Sequence, residues 1–266
     1  MRTMLAGRIS DEWNRTAWMA NAGRLSRTGC GLAALLLLSA PSGRAAAADA
    51  VSPSSPSNRV VSFARGTWDP AQWSPLRLPQ QKTLRAFAQR DDSIGVEAFT
   101  ADEIKGGMDN ILLATDAGTA EGEFEVVFSL SEEQGTAPGV FLAPLIKDGV
   151  MERAVAIFVA SYTMAVWRAE LDPVKGETKY THLVRVTRWT EPGQKHTLRC
   201  RFSTSSKSIA IRLDQGDPIV LRDTGIEMNS KIGVWGCHGR CDFYSVTFAQ
   251  KPVLEWSASD PHKKTK

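Results

Sequence analysis

Three glutamates spaced two apart, Glu121, Glu123 and Glu125, are the first residues in this chain whose types and spacing could do chemistry. On an extended strand alternate side chains point the same way, so all three carboxylates share one face. A retaining glycosidase needs two carboxyls roughly 5–5.5 Å apart, a separation that positions i and i+2 on a strand nearly supply. The interleaved Phe124, Val126 and Phe128 carry a simpler account, in which they enter a core while the glutamates face water. No aromatic set accompanies the glutamates in sequence, and the solvated face is the favoured reading.

The second constellation is Gly236-Cys237-His238-Gly239-Arg240-Cys241. A zinc site here would need Cys200 as its fourth ligand, and adjacent residues such as Cys237 and His238 point apart in extended chain. The flanks Ile232–Trp235 and Phe243–Phe248 read instead as two arms of a hairpin. Directly opposed residues at a non-hydrogen-bonded pair have Cα atoms roughly 4.5 Å apart, within reach of a disulfide. The expectation is a Cys237–Cys241 disulfide that fixes the loop and turns His238 and Arg240 outward, with Cys200 a buried thiol. The other histidines, His182, His196 and His262, lie far apart and form no H-E-x-x-H motif. A serine nucleophile elbow, a phosphate-cradling glycine loop and an EF-hand loop are absent from the sequence. Asp109 and Asn110 beside Gly106-Gly107 suit a turn better than a calcium site. No metal or cofactor is called for.

The tryptophans come third. Trp68 and Trp73 lie in "GTWDPAQWSP", and Trp167, Trp189 and Trp235 lie in apolar runs. Sugar rings stack their C–H faces on indoles while polar neighbours bond the hydroxyls. Core packing is the favoured role of Trp167, Trp189 and Trp235. Trp68, Trp73, Arg168, His238 and Arg240 are the candidate ligand-binding residues, around a concave sheet face or its rim.

The elements that must position these residues alternate with a period near two. Runs at Asn110–Thr115, Glu121–Phe128, Val140–Leu145, Ala154–Ser161, Met164–Glu170, Leu183–Trp189, Thr197–Phe202, Ser208–Leu213, Ile219–Leu221, Ile232–Trp235 and Phe243–Phe248 are separated by breaks such as Lys147-Asp148-Gly149 and Glu191-Pro192-Gly193. Many short alternating runs with regular turn signals predict an all-β sandwich of two antiparallel sheets. The one helical candidate is a single turn at 100–104, with Thr100 as N-cap.

Residues 1–50 read as a secretory signal peptide. Arg24 and Arg27 precede the apolar run Gly31–Leu38, and small residues follow to Ala50. The run is far shorter than the roughly 20 residues of a membrane span. Initiation at Met4 or Met19 and cleavage after Ala48 or Ala50 fit this reading, which places the mature protein in the periplasm or outside the cell. The leader takes six of the 32 basic and three of the 29 acidic residues, leaving 26 of each. A neutral domain has no electrostatic reason to bind nucleic acid or an anionic membrane. Residues 51–58 read as a Ser/Pro-rich lead-in, 59–252 as one domain and 253–266 as a tail.

The strand "GEFEVVFSL", the apolar "GVFLAPL", the turn "PGQKHTLRC", the hairpin "IAIRLDQGDPIVLRD" and the terminal "IGVWGCHGRCDFYSVTF" follow one another in an order that resembles the concanavalin A-like jelly roll. Within it, residues 60–250 are most similar to the secreted bacterial 3-keto-disaccharide hydrolase domain family. Where that family has a central strand with polar residues, this chain reads Arg153–Val159, with no carboxylate beyond Glu152. The resemblance implies a saccharide or polysaccharide partner. It implies either a secreted carbohydrate-binding or interaction module or a glycoside-processing hydrolase, and the oligomeric state stays open.

Overall fold

The computed structural model describes residues 58–249 except 83, 98, 101, 104–109, 133–135 and 238. Its strands, in chain order, are β1 (Arg59–Ser62), β2 (Ser74–Leu76), β3 (Ala88–Gln89), β4 (Ile94–Val96), β5 (Asn110–Asp116), β6 (Gly122–Leu130), β7 (Gly139–Lys147) and β8 (Val150–Ala160). They continue with β9 (Thr163–Asp172), β10 (Glu177–Thr187), β11 (His196–Ser203), β12 (Ser208–Leu213), β13 (Ile219–Arg222), β14 (Lys231–Cys237) and β15 (Cys241–Ala249). Two sheets form. The first runs β13-β12-β11-β6-β15-β4-β3, with β1 also beside β15, and the second runs β10-β9-β8-β7-β14-β5-β2. Every strand pairing is antiparallel. The predicted all-β sandwich of two antiparallel sheets is what the chain forms.

Alternation explains the first sheet. Phe124, Val126 and Phe128 of β6, Leu198, Cys200 and Phe202 of β11, and Ile209, Ile211 and Leu213 of β12 all enter one core. Glu123, Glu125 and Val127 of β6 take the other face and are half-buried there. The second sheet behaves differently, because both of its faces are apolar. Val155, Ile157 and Val159 of β8 enter the shared core. Ala154 and Ala156 join Leu112, Phe141 and Trp235 in a second buried cluster on the outward side. That is why "AVAIFVA" reads as an unbroken apolar run, the signature of a strand covered on both faces.

Part of the cover comes from residues 77–81. Leu78 is buried in the outward cluster. Gln81 accepts a hydrogen bond from the Leu78 amide at 2.8 Å and donates to the Asn110 carbonyl at 2.7 Å. Gln80 accepts from the amide and hydroxyl of Thr178, each at 3.0 Å. The segment therefore straps from β5 to β10 across one end of the outward face.

Two expectations change. β10 begins at Glu177, well before the predicted Leu183, because a bulge between His182 and Val184 shifts its parity and breaks the period-two pattern. The hairpin predicted for Ile232–Trp235 and Phe243–Phe248 does not form. β14 pairs with β5 and β7 in the second sheet, whereas β15 pairs with β6, β4 and β1 in the first. Both strands bury residues in the shared core, Ile232 and Val234 from one side and Phe243 and Val246 from the other. The two strands therefore lie in opposite sheets of the sandwich. Of the helical candidate, residues 101 and 104 lie outside the described residues, and 102–103 are helical. Its cap is in place: Thr100 Oγ1 accepts from the Glu103 amide at 3.2 Å, and the Glu103 carboxylate accepts from the Thr100 amide at 2.8 Å. These bonds hold the Glu103 carboxyl below its ordinary range.

Candidate functional site

The middle of the second sheet's outward face is closed. Trp235 is 0% exposed and donates its Nε1 hydrogen to Asn110 Oδ1 at 2.7 Å. Phe158 and Phe141 stand edge-on to it, with ring centroids 4.9 and 6.2 Å away. A sugar has no access to this indole.

The open part lies along the edge, on β9 and β10. Val166 and Met164 of β9 enter the core, so Trp167 and Ala165 take the other side. Across the ladder Trp167 pairs with His182, Arg185 with Ala165 and Thr187 with Thr163. Val184 and Val186 pack on the core, which turns Arg185 and Thr187 outward beside them. Beyond the strand ends the ladder continues, with the Arg188 amide donating to the Tyr162 carbonyl at 3.0 Å and the Thr190 amide to that of Ser161 at 2.8 Å. Trp189 therefore follows Arg185 and Thr187 on the same outward row.

Two ring pairs mark this row. Trp167 and His182 have centroids 4.6 Å apart, with Tyr180 edge-on to Trp167 at 6.4 Å. Tyr162 and Trp189 also lie 4.6 Å apart, and they are 63% and 57% exposed. A strand rises about 3.3 Å per residue, so the pairs sit roughly 20 Å apart along β10. Arg185 lies between them and donates its Nε hydrogen to Thr163 Oγ1 at 3.3 Å. The outward row of β9 and β10 from residue 163 to 169 and 178 to 189 carries no Asp or Glu. Exposed indole and phenol faces with a guanidinium between them suit a ligand having flat apolar faces and polar edges.

The residues singled out from sequence lie elsewhere. Trp73 is 5% exposed and packs in the core, its ring 5.3 Å from Phe63. Trp68 is half-buried and edge-on to Phe63 at 5.8 Å. Their period of five in a Pro-rich stretch brings both indoles over one phenylalanine rather than into solvent. Arg168 points inward, opposite Trp167. Its Nε lies 3.1 Å from Glu170 Oε2 and its guanidinium packs against Gly225. Arg240 belongs to the first sheet's side, 3.8 Å from Asp242. His238 lies outside the described residues. Trp189, given a core role from sequence, is the exposed indole, and its signal was the turn Thr190-Glu191-Pro192-Gly193 immediately after it.

The cysteine expectation needs correction. Cys200, Cys237 and Cys241 are thiols, with no disulfide between them. The bridge rested on a hairpin, and Cys237 and Cys241 belong to different sheets. Cys200 is buried, as expected, and burial first, then the charge of Glu123, raises its thiol pKa. Burial likewise pushes Cys241 up to about 12, with the Asp242 charge adding to it. Such thiols are poor nucleophiles. Among the described residues no three His, Cys, Asp or Glu side chains gather as a metal site would require.

The glutamate row is engaged on the first sheet. Glu125 is ion-paired with Arg199, and Glu123 with Arg201 at 3.3 Å. Glu121 accepts from the Thr204 hydroxyl at 2.6 Å and the Ser205 amide at 2.9 Å, which pull its pKa down to about 2. Nearby on the same side Asp242 is ion-paired with Arg90, yet burial outweighs that charge and raises its pKa. His196, the one buried histidine described, has both ring nitrogens occupied, by Asp214 at 2.9 Å and the Glu191 carbonyl at 2.8 Å.

No protein-family model matches the sequence, and no curated protein matches it significantly. Solved structures do resemble it. A Bacillus licheniformis beta-glucanase aligns with a TM-score of 0.53 at 12% identity, over 72% of this chain and 97% of its own. The carbohydrate recognition domain of Emp46p, in a potassium-bound form, gives 0.53 at 8% identity, over 72% and 96%. The Crh5 transglycosylase in complex with NAG gives 0.50 at 12%, over 72% and 83%. The fold is a concanavalin A-like jelly roll. At these identities the likeness concerns the backbone alone. Within the jelly roll, the β9–β10 edge of the second sheet is where this chain leaves its rings open.

Proposed function

We propose that the chain is an exported saccharide-binding domain, and that it grips an extended glycan along the outward β9–β10 row. The observation that carries this reading is two ring pairs along one sheet edge, the exposed Tyr162–Trp189 and the half-buried Trp167 with the exposed His182. Leaving a large indole and a phenol in water forgoes burial worth roughly 1.5–3 kcal/mol per large side chain, a cost that ligand stacking recovers. A glucanase, a carbohydrate recognition domain and a transglycosylase share the fold, which agrees with a carbohydrate partner. The signal-peptide reading of residues 1–50 agrees with export, where polysaccharides are met.

Binding is favoured over hydrolysis because the three glutamates with glycosidase-like spacing are held by Arg199, Arg201 and the 203–205 loop on the other sheet. The 3-keto-disaccharide hydrolase alternative rests on the sequence resemblance. It predicts turnover of a 3-keto-disaccharide, and the binding reading predicts none. Calorimetric titration with a panel of soluble polysaccharides tests the proposal. Trp189→Ala and Trp167→Ala should each weaken binding about tenfold or more, while Trp189→Ala leaves the melting temperature unchanged. Absence of binding across the panel, or full affinity in the double variant, would overturn it.

A further inference from the structure

We infer that the glycan taken by this row is carboxylated, a polysaccharide containing uronic acid, and that Arg185 selects it. The inference rests on the saccharide-binding reading and names the substrate class of that same row.

Several arginines of the domain are neutralised by carboxylates: Arg199 by Glu125, Arg201 by Glu123, Arg90 by Glu97 and Asp242, Arg168 by Glu170. Arg185 differs. It is exposed, and among the described residues no carboxylate lies within ion-pair distance of it. Its recorded partner is a neutral hydroxyl, Thr163 Oγ1, reached through Nε alone. That bond uses Nε and leaves the two terminal nitrogens for a ligand. The next arginine along, Arg188, is also without a carboxylate among the described residues and reaches over Gly216 of the β12–β13 turn.

The placement matters as much as the charge. Arg185 lies about 10 Å from His182 and about 13 Å from Trp189 along the strand, between the two ring pairs. A chain of pyranose rings stacked on both pairs must pass the guanidinium edge-on. A carboxylate projecting from a ring edge meets a planar fork of donors, and guanidinium matches a carboxylate bidentately. The neutral hydroxymethyl group of an ordinary hexose would leave that fork without its charge partner. The row offers no carboxylate to repel the ligand, and the first sheet's glutamates face the other way.

The test compares polygalacturonate and alginate oligosaccharides with their carboxyl-reduced forms by calorimetric titration of the full domain. At least one acidic oligomer should bind about tenfold or more tightly than its reduced form, a difference that shrinks as salt is raised. Arg185→Gln should bring the affinity for the acidic oligomer down to that of its reduced form, with the melting temperature unchanged because the side chain is exposed. Arg185→Lys, which keeps the charge and loses the fork, should retain only part of the preference. Equal affinity for acidic and reduced forms, or a preference that survives Arg185→Gln, would overturn the inference and leave the saccharide-binding reading intact. Failure of acidic, reduced and neutral oligomers alike would sink both. A sulfated neutral polysaccharide is the remaining arm: if it binds tighter than any carboxylated oligomer, the carboxylate assignment falls.

Discussion

On the outward side of the first sheet, Glu125 meets Arg199 and Glu123 meets Arg201 across neighbouring strands; on the second, Arg185 and Trp189 stand without such partners. The first face closes its chemistry internally. Each carboxylate of the β6 row has a cation or hydroxyl from the adjacent strand or loop, and what remains for a partner is little. The second face is divided. Its middle is sealed around Trp235, and its β9–β10 edge keeps Tyr162, Trp189, His182 and a guanidinium in the open, with Trp167 half-buried beside His182. Residue types alone do not separate the two faces, since glutamates look chemical and tryptophans look structural. Partners do: a group already satisfied by its neighbours is architecture, and an expensive group left unsatisfied is a candidate for binding.

The comparison breaks most visibly at Trp235. Trp235→Ala empties the closed half of the face and strands the Asn110 side chain, so urea unfolding should show a loss of about 3–5 kcal/mol. A loss below about 1 kcal/mol would mean that the outward cluster is no core. Glu125→Gln should cost far less, about 0.5–1 kcal/mol, because its pair with Arg199 is partly exposed. Glycan affinity of that variant should equal wild type; a fall of tenfold would move the site to the first sheet.

The smallest effect is in acid. Thr204 and Ser205 hold Glu121 near 2 against an ordinary 4.5, so the folded state favours its charged form. That contribution is fully present above pH 4.5 and fades as pH falls toward 2. Glu121→Gln should therefore flatten the stability curve between those values, while Asp242, shifted upward by burial, acts in the opposite sense in both proteins. Parallel curves for wild type and variant would show that the Thr204–Ser205 cradle is not formed in solution.

Much of the fold was legible because β6, β11 and β12 alternate cleanly over a one-sided core, and Ser208–Leu213 appears in the structure with the predicted bounds. The site was less legible for three physical reasons. A bulge after His182 hides the parity that puts His182 and Arg185 on one row. The strand β8 is buried on both sides and carries no facial pattern. Trp189 sits past the end of β10, where alternation continues through two backbone hydrogen bonds that sequence does not display. The Cys237–Cys241 expectation failed for a related reason: two arms either side of a short loop look the same whether they share a sheet or face each other across a core.

The central claim is that ligand meets the β9–β10 edge and nothing else. Indole N–H resonances of the domain, followed by NMR while a bound oligosaccharide is titrated in, report on it directly. The signals of Trp167 and Trp189 should move saturably and together, while those of Trp73 and Trp235, buried in the two clusters, stay fixed. Saturable binding that leaves Trp167 and Trp189 unmoved would contradict the account.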